Sequence, residues 1–554
     1  MVCKSMKPRH PSPWRVAFGV SCLLLLGACA SISTTPVATW QSRTLNPNVD
    51  IGGDFPPAAP REFRAAWVST VANIDWPSRK DLNVQQQRAE IIAIVNRAKE
   101  LNMNALILQV RPSADAIYPS AIEPWSEFLT GEQGRAPSPF YDPLKLWIDE
   151  AHERGIELHA WFNPYRARHI AAKSPMARNH IGVTNPAVVK SYGGYLWMDP
   201  GEAAAAKQTL DVVLDVVRRY DIDGVHIDDY FYPYPVPVAG STTTPPAEQD
   251  FPDDAAWQAF VKSGGKLSRT DWRRQNVNAL IERMHDGIHR EKQWVKFGIS
   301  PFGLGKPDRR PVGIVGFSQY DKLYADVELW LSKGWLDYLA PQLYWPIDQA
   351  PQAFGVLLDY WLKENTQSRH VWSGLYTSRI DDTARSWQPQ EIVNQIKLAR
   401  SRAQTAPTAS GQIHFSMVAL MQNRKSIGDE LKTQLYSAPA LIPATPWLES
   451  AVPPAPQIML EQGKKIRVKI TPGSTSSAAQ SASTFAIWAK YADNKNSAKS
   501  AQWRFSVVPA GVKNALVETE LLSTIPAGSL SAVVVSAISR AGNESARTIM
   551  QSPK

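Results

Sequence analysis

Asp223-Gly-Val-His-Ile-Asp-Asp-Tyr-Phe-Tyr232 is a short apolar strand that leaves a Tyr-Asp-Ile-Asp-Gly turn and ends in two adjacent carboxylates followed by aromatic rings. Side chains alternate along a strand, and the helix-facing set of a β/α unit is apolar. Val225 and Ile227 therefore face outward, while His226 and Asp228 face inward. Asp229 has the opposite parity and joins Asp228 only where the chain turns. Carboxylates at the C-terminal ends of barrel strands, beside aromatic rings, suit acid chemistry on a sugar. Capping of a turn or helix is the bland alternative for either Asp.

Working outward, apolar β-branched runs recur at 63–70, 105–110, 156–162, 224–227, 295–300, 338–343, 371–375 and 413–418. Helical periodicity fills 86–100, 143–154, 203–220, 272–290, 326–333, 350–364, 389–403 and 427–435. Eight strand–helix repeats predict an α/β fold, a (β/α)8 TIM barrel with enlarged loops, over 61–438. An open doubly wound sheet would not need eight such repeats, and no dinucleotide fingerprint is present. The loops after strands two to five are long, and 233–254 is rich in Pro, Thr and Asp.

Both ends of the chain read differently. Lys4, Lys7, Arg9 and Arg15 precede an apolar run from Val16 to Leu26, which closes in Leu26-Gly27-Ala28-Cys29. The run is short for a bilayer span. It reads as a lipoprotein signal peptide over 1–28, with Cys29 as the lipidation site; a plain signal peptide is the alternative. Cys3 and Cys22 fall within the removed segment, so Cys29 would be the sole mature cysteine, without a disulfide framework. Ala30 after that cysteine favours outer-membrane sorting, so a lipid-anchored protein on the periplasmic face is expected. Residues 29–60 read as a flexible tether. Residues 439–457 read as a Pro-rich linker, and 458–554 as a fibronectin type III-like β-sandwich, either a spacer or a sugar-binding module. The formal charge of +9 falls to +5 once the four basic residues before Cys29 are removed, and no dense Lys/Arg run suggests nucleic acid.

The strand ends supply the candidate site. By parity His159, Trp161 and Asn163 face inward on strand three, with Tyr165 and Arg166 beyond them. Gln109, Arg111 and Asp115 close strand two, Gln342, Tyr344 and Trp345 close strand six, and Tyr376 closes strand seven. No metal-ligand spacing, nucleophile elbow or phosphate loop is present, so no metal or cofactor is expected.

Phe63-Arg-Ala-Ala-Trp67, Asn73-Ile-Asp-Trp-Pro77, Arg111 with Asp115-Ala-Ile-Tyr-Pro-Ser120, His159-Ala-Trp-Phe-Asn-Pro-Tyr-Arg166, the 223–232 segment, Tyr324-Ala-Asp326 running on to Trp335-Leu-Asp-Tyr338, and Pro341-Gln-Leu-Tyr-Trp345 together resemble glycosyl-hydrolase-like family ten. The resemblance spans 61–435. It implies a glycosidase acting on peptidoglycan strands stripped of their stem peptides, as in a division-associated outer-membrane lipoprotein. It also adds Arg64, Trp67, Tyr230 and Asp326 to the substrate-binding candidates. The end of strand eight carries no acidic residue, and the sandwich lies outside the matching region.

Glycosidases commonly pair two carboxyl groups, ~5–5.5 Å apart for retention and ~6.5–9.5 Å for inversion. Asp228 is the first expected catalytic residue and Asp229 its simplest partner. That adjacent pair resembles substrate-assisted hexosaminidases acting on N-acetylated β-1,4-linked glycan. Asp115 and Asp326 are alternative partners. A non-catalytic glycan-binding lipoprotein and a glycosidase for another polysaccharide are the competing functions.

Overall fold

The computed structural model describes residues 41–45, 55–461, 467–491, 503–511, 517–520 and 530–551. Cys29 and the segment 1–28 lie outside them. Eight parallel strands close into a barrel: β1 (Phe63–Val68), β2 (Ala105–Arg111), β3 (Glu157–Phe162), β4 (Gly224–Ile227), β5 (Lys296–Ile299), β6 (Tyr338–Leu339), β7 in two pieces (His370–Val371 and Ser373–Leu375) and β8 (Gly411–His414). β8 pairs with β1, which closes the ring. The helices after them are α1 (Val84–Glu100), α2 (Pro143–Glu153), α3 (Ala203–Arg219), α4 (Arg269–Glu291), α5 (Val327–Lys333), α6 (Phe354–Glu364), α7 (Pro389–Ala403) and α8 (Ile427–Gln434). The expected eight repeats are present. Several boundaries differ: β6 ends at Leu339, α6 begins at Phe354, and β8 stops at His414, with Met417–Met421 a short helix rather than more strand.

The alternation read from 223–232 holds. Val225 and Ile227 join the core between strands and helices, whereas Phe63, Ala65, Trp67, Ile107, Trp161, Tyr338, Trp372 and Ile413 fill the barrel interior. Two glycines make room for rings there. A Cβ on Gly224 would lie 2.6 Å from the His159 ring, and one on Gly298 1.9 Å from the Tyr338 ring.

The N-terminal rim uses one device three times. Asn104, Asp223 and Asp337, each just before an even-numbered strand, accept the backbone N–H of Arg64, Leu158 and Phe297 on the preceding odd strand, at 2.9, 2.9 and 2.7 Å. His152 and Arg540 flank Asp223, and their charges hold its carboxyl far below the ordinary range. Hydrogen bonds with His289 and the Trp447 indole lower Asp337 against the cost of its burial.

Arg540 belongs to the C-terminal domain, so this rim is also where that domain docks. Three antiparallel strands (457–461, 467–471, 517–520) face a five-stranded sheet ordered 41–45, 547–551, 530–539, 482–491, 503–509. One neighbouring segment differs from its sequence reading. Residues 41–45 of the expected tether form an edge strand paired with 547–551. Within 439–457, Ala440, Leu441, Thr445 and Leu448 are buried against the barrel and the sandwich. Arg61 completes the joint by donating to the Ile442 and Gly542 carbonyls.

A fully buried ion pair anchors the long loop after β2. Arg111 meets Glu123 through both Nε (2.8 Å) and Nη2 (2.5 Å), and both side chains are inaccessible to solvent. Removing one partner strands the other charge in a dry interior. Glu123→Ala should therefore cost about 3–5 kcal/mol in urea unfolding. A loss below about 1 kcal/mol would contradict a dry pair.

Candidate active site

β4 ends at Ile227, and the chain bends at Asp229, where the Phe231 N–H returns to the Asp229 carbonyl at 3.0 Å. That bend supplies the parity change Asp229 needed. The two carboxyls then diverge within one mouth. Asp228 leans toward β3, where the Asn163 amide donates to both oxygens at 3.3 and 3.2 Å. Asp229 leans the other way and accepts the Tyr234 O–H and a hydrogen bond from Gln342, beyond β6.

Both carboxyls are nearly sealed, at 4% and 3% exposure. Burial pushes Asp228 up to about 7; the Arg166 charge opposes the rise and Asp229 adds to it. Asp229 is also raised by burial, while Tyr234 and Gln342 stabilise its ionised form. Asp228 has the weaker donors and is therefore the better seat for a proton near neutral pH. One protonated and one hydrogen-bonded carboxyl side by side can donate a proton to one atom and orient another.

Aromatic rings wall the mouth. Tyr230 lies under the Arg166 guanidinium at 4.9 Å and beside Tyr234 at 5.8 Å. Tyr234 stacks on Phe317, and Phe302 bridges Phe317 and Trp345 at 5.0 and 5.6 Å. Tyr344 stacks on Tyr376 at 4.9 Å, with Phe415 and Trp387 beyond. Flat rings around two carboxyls make a surface suited to the apolar faces of sugar rings.

Beneath the mouth runs a directed hydrogen-bond chain. Trp67 Nε1 is a donor only, so at 3.1 Å it makes His226 Nε2 an acceptor. His226 Nδ1–H then donates to Tyr338 (3.0 Å), whose O–H donates to His159 Nδ1 (2.8 Å). His159 Nε2–H donates to Glu157 (3.0 Å), which Lys296 neutralises at 2.9 Å. The His226 imidazole is neutral in this arrangement, and burial holds it far below its ordinary pKa. Protonating His226 would point its new N–H at the Trp67 N–H.

The structure sorts the expected substrate contacts. Trp161, Asn163, Arg166, Tyr230, Gln342, Tyr344, Trp345 and Tyr376 gather with Asp228 and Asp229 at the mouth. The others do different work. Arg64 lies at the opposite rim, paired with Glu62 at 2.6 Å and set over Tyr436. Trp67 and His159 are links of the internal chain. Gln109 Oε1 accepts the Thr70 and Val71 N–H groups and shapes the loop after β1. Arg111 is consumed by Glu123, and Tyr165 is buried toward the helix layer.

The two alternative catalytic partners also fall away. Asp115 is sealed and holds the Ser113 N–H and Gln133, and Asp326 caps α5 through the Leu329 N–H. Tyr234, Phe317, Phe415 and Trp387 were missed as rim residues. The run Tyr230-Phe-Tyr-Pro-Tyr234 carried a visible signal for Tyr234; the rest lie on loops whose course no periodicity gives. Asp75, also missed as an individual residue, ties the β1 and β8 loops by accepting from Ser69 N–H, Ser416 O–H and Val418 N–H.

A raised carboxyl has a stability signature. The folded protein holds the Asp228 proton up to about pH 7, whereas an unfolded Asp releases it near pH ~4. The cost is absent below pH ~4, grows between ~4 and 7, and is full above that window. Asp228→Asn should thus stabilise the fold at pH 8, on the order of 1–3 kcal/mol, and do little at pH 4. Equal shifts at both pH values in denaturant melts would contradict the burial argument.

The family described as Glycosyl hydrolase-like 10 matches residues 62–391. A Bacillus subtilis (strain 168) protein named glycosyl hydrolase YngK is 41% identical over 406 residues, covering 72% of this chain and 76% of its own. Glycosyl hydrolase DigH of Escherichia coli (strain K12) is 31% identical over 429 residues, covering 72% and 92%. Among solved structures, the PgaB (BpsB) glycoside hydrolase domain of Bordetella bronchiseptica is similar over 67% of this chain and 98% of its own, with 12% identity and a TM-score of 0.43. The chain belongs to the glycosyl hydrolase-like 10 family and is a glycosidase carried on a β/α barrel.

Proposed function

We propose that this glycosidase cleaves β-1,4 links in N-acetylated glycan, with peptidoglycan strands lacking stem peptides as substrate. The observation that supports it best is the unequal carboxyl pair, Asp228 holding a proton near pH 7 and Asp229 bound by two donors. In this reading Asp228 donates its proton to the glycosidic oxygen as the C1–O bond breaks. The acetamido carbonyl oxygen of the same sugar closes on C1, and Asp229 orients it by accepting the acetamido N–H. Water then attacks C1 of the oxazolinium ring and gives its proton to Asp228, which restores the pair. Tyr230, Tyr344, Trp345 and Tyr376 bind the glycan. Asn163 holds Asp228 in place.

The relatives' names support hydrolysis of glycans, and the motif resemblance supports peptidoglycan. A lipid anchor on Cys29, at the periplasmic face of the outer membrane, belongs to the same proposal. So does a fibronectin type III-like sandwich, for which the packing of strands 457–461, 467–471 and 517–520 on the other sheet is the support.

Asp228→Asn should abolish release of fragments from amidase-treated sacculi, read by muropeptide chromatography, in a protein that stays folded. The wild type should lose activity about tenfold per unit above pH ~7, as the Asp228 proton leaves. Unchanged turnover in the variant would reject Asp228 as the acid, and turnover of another polysaccharide alone would reject the substrate. Cys29→Ser should move the protein from the membrane to the soluble fraction. Retention in the membrane would reject the lipid anchor.

A further inference from the structure

Four buried basic side chains in the described residues have a carboxylate partner. Arg64 meets Glu62, Arg111 meets Glu123, Arg273 meets Asp253, and Lys296 meets Glu157. Arg166 is as buried as these, at 3% exposure, and has no carboxylate within salt-bridge distance. Its backbone N–H is held by Asn163 Oδ1 at 2.9 Å and its Nε by the Pro112 carbonyl at 3.0 Å, while its plane lies over Tyr230. The head is thus fixed in place, yet Nη1 and Nη2 donate to no atom of the described residues. Neither is among the sealed partnerless atoms, so both open into the mouth.

Burying a charge without a partner is costly, and a guanidinium presents two parallel N–H groups that match a carboxylate. Asp228 is near enough to feel this charge but makes no ion pair with it. The missing partner therefore comes with the ligand. N-acetylated glycan backbones are neutral unless a sugar carries an acidic substituent. A peptidoglycan strand without stem peptides exposes one such group, the 3-O-lactyl carboxylate on alternate sugars.

We propose that Arg166 is a specificity residue that binds the lactyl carboxylate of a muramoyl unit beside the scissile bond, so that the site selects acidic over neutral N-acetylated glycan. This inference rests on the peptidoglycan reading above and adds the group that is recognised. Arg166 carries the selection, and Asp228 and Asp229 carry the chemistry.

The test compares two substrates: glycan strands from amidase-treated sacculi, and the same strands after carbodiimide activation and borohydride reduction of the lactyl carboxylates to alcohols. The wild type should lose about tenfold or more in kcat/KM on the reduced strands, the scale of a lost charge-assisted hydrogen bond. Arg166→Gln should fall by a similar factor on the native strands and no longer distinguish the two. Arg166→Lys should regain part of the preference. Arg166→Gln also changes the electrostatics at Asp228, but that effect is common to both substrates and cancels in the ratio. Binding of both glycans to Asp228→Asn gives the same comparison without turnover. Cleavage of both strands at equal rates by the wild type, or a preference that survives in Arg166→Gln, would overturn the proposal while leaving the peptidoglycan reading intact. Failure to cleave or bind either strand would overturn that reading, and this one with it.

Discussion

Two adjacent carboxyls buried under aromatic rings cannot both ionise cheaply, and the site depends on how that conflict is resolved. Burial raises both groups, and the flanking donors then separate them. Asn163 on one side and Tyr234 with Gln342 on the other pull the side chains apart, so a single bend after β4 yields two carboxyls of different character. The fold bears an energetic cost at this point, as functional sites commonly do.

The interior of the barrel carries a hydrogen-bonded chain beneath that mouth. A polar chain of six side chains in an apolar core would be a liability if any member were unsatisfied. Here the donor-only indole of Trp67 at one end and the Lys296–Glu157 pair at the other impose one direction on every bond between them. Burial holds His226 far below its ordinary pKa, so that link stays neutral. Below the chain, Asn104, Asp223 and Asp337 catch strand N–H groups, and Arg540 brings the sandwich onto the same rim. Barrel, linker and sandwich therefore meet on the face opposite the Asp228–Asp229 mouth.

Much of this was legible in the sequence, because its main features are periodic. Alternation placed Val225 and Ile227 outward and His226 and Asp228 inward, and eight repeats gave the barrel. Residues whose role depends on a partner distant in sequence were harder to place. Arg111 at the end of a strand looks like a rim residue until Glu123, twelve positions on, consumes it. Arg64 has the right neighbours but sits at the wrong end of β1, where Glu62 and Tyr436 hold it. Asp326 resembles a catalytic carboxyl and proves to be a cap. The stretch 413–418 is apolar enough for a strand, yet the strand stops at His414, Asp75 holds Ser416 and Val418, and a short helix begins at Met417. The edge strand at 41–45 has no apolar alternation to announce it, since its pairing is supplied by 547–551.

The division of labour between Asp228 and Asp229 is the centre of this account. The most direct measurement is a crystal structure of the Asp228→Asn protein with an intact N-acetylated glycan oligosaccharide. The account predicts the residue 228 amide within hydrogen-bond distance of the glycosidic oxygen, and the Asp229 carboxylate bonded to the acetamido N–H of the same sugar. A glycosidic oxygen facing a different carboxyl, or an acetamido group turned away from Asp229, would contradict it.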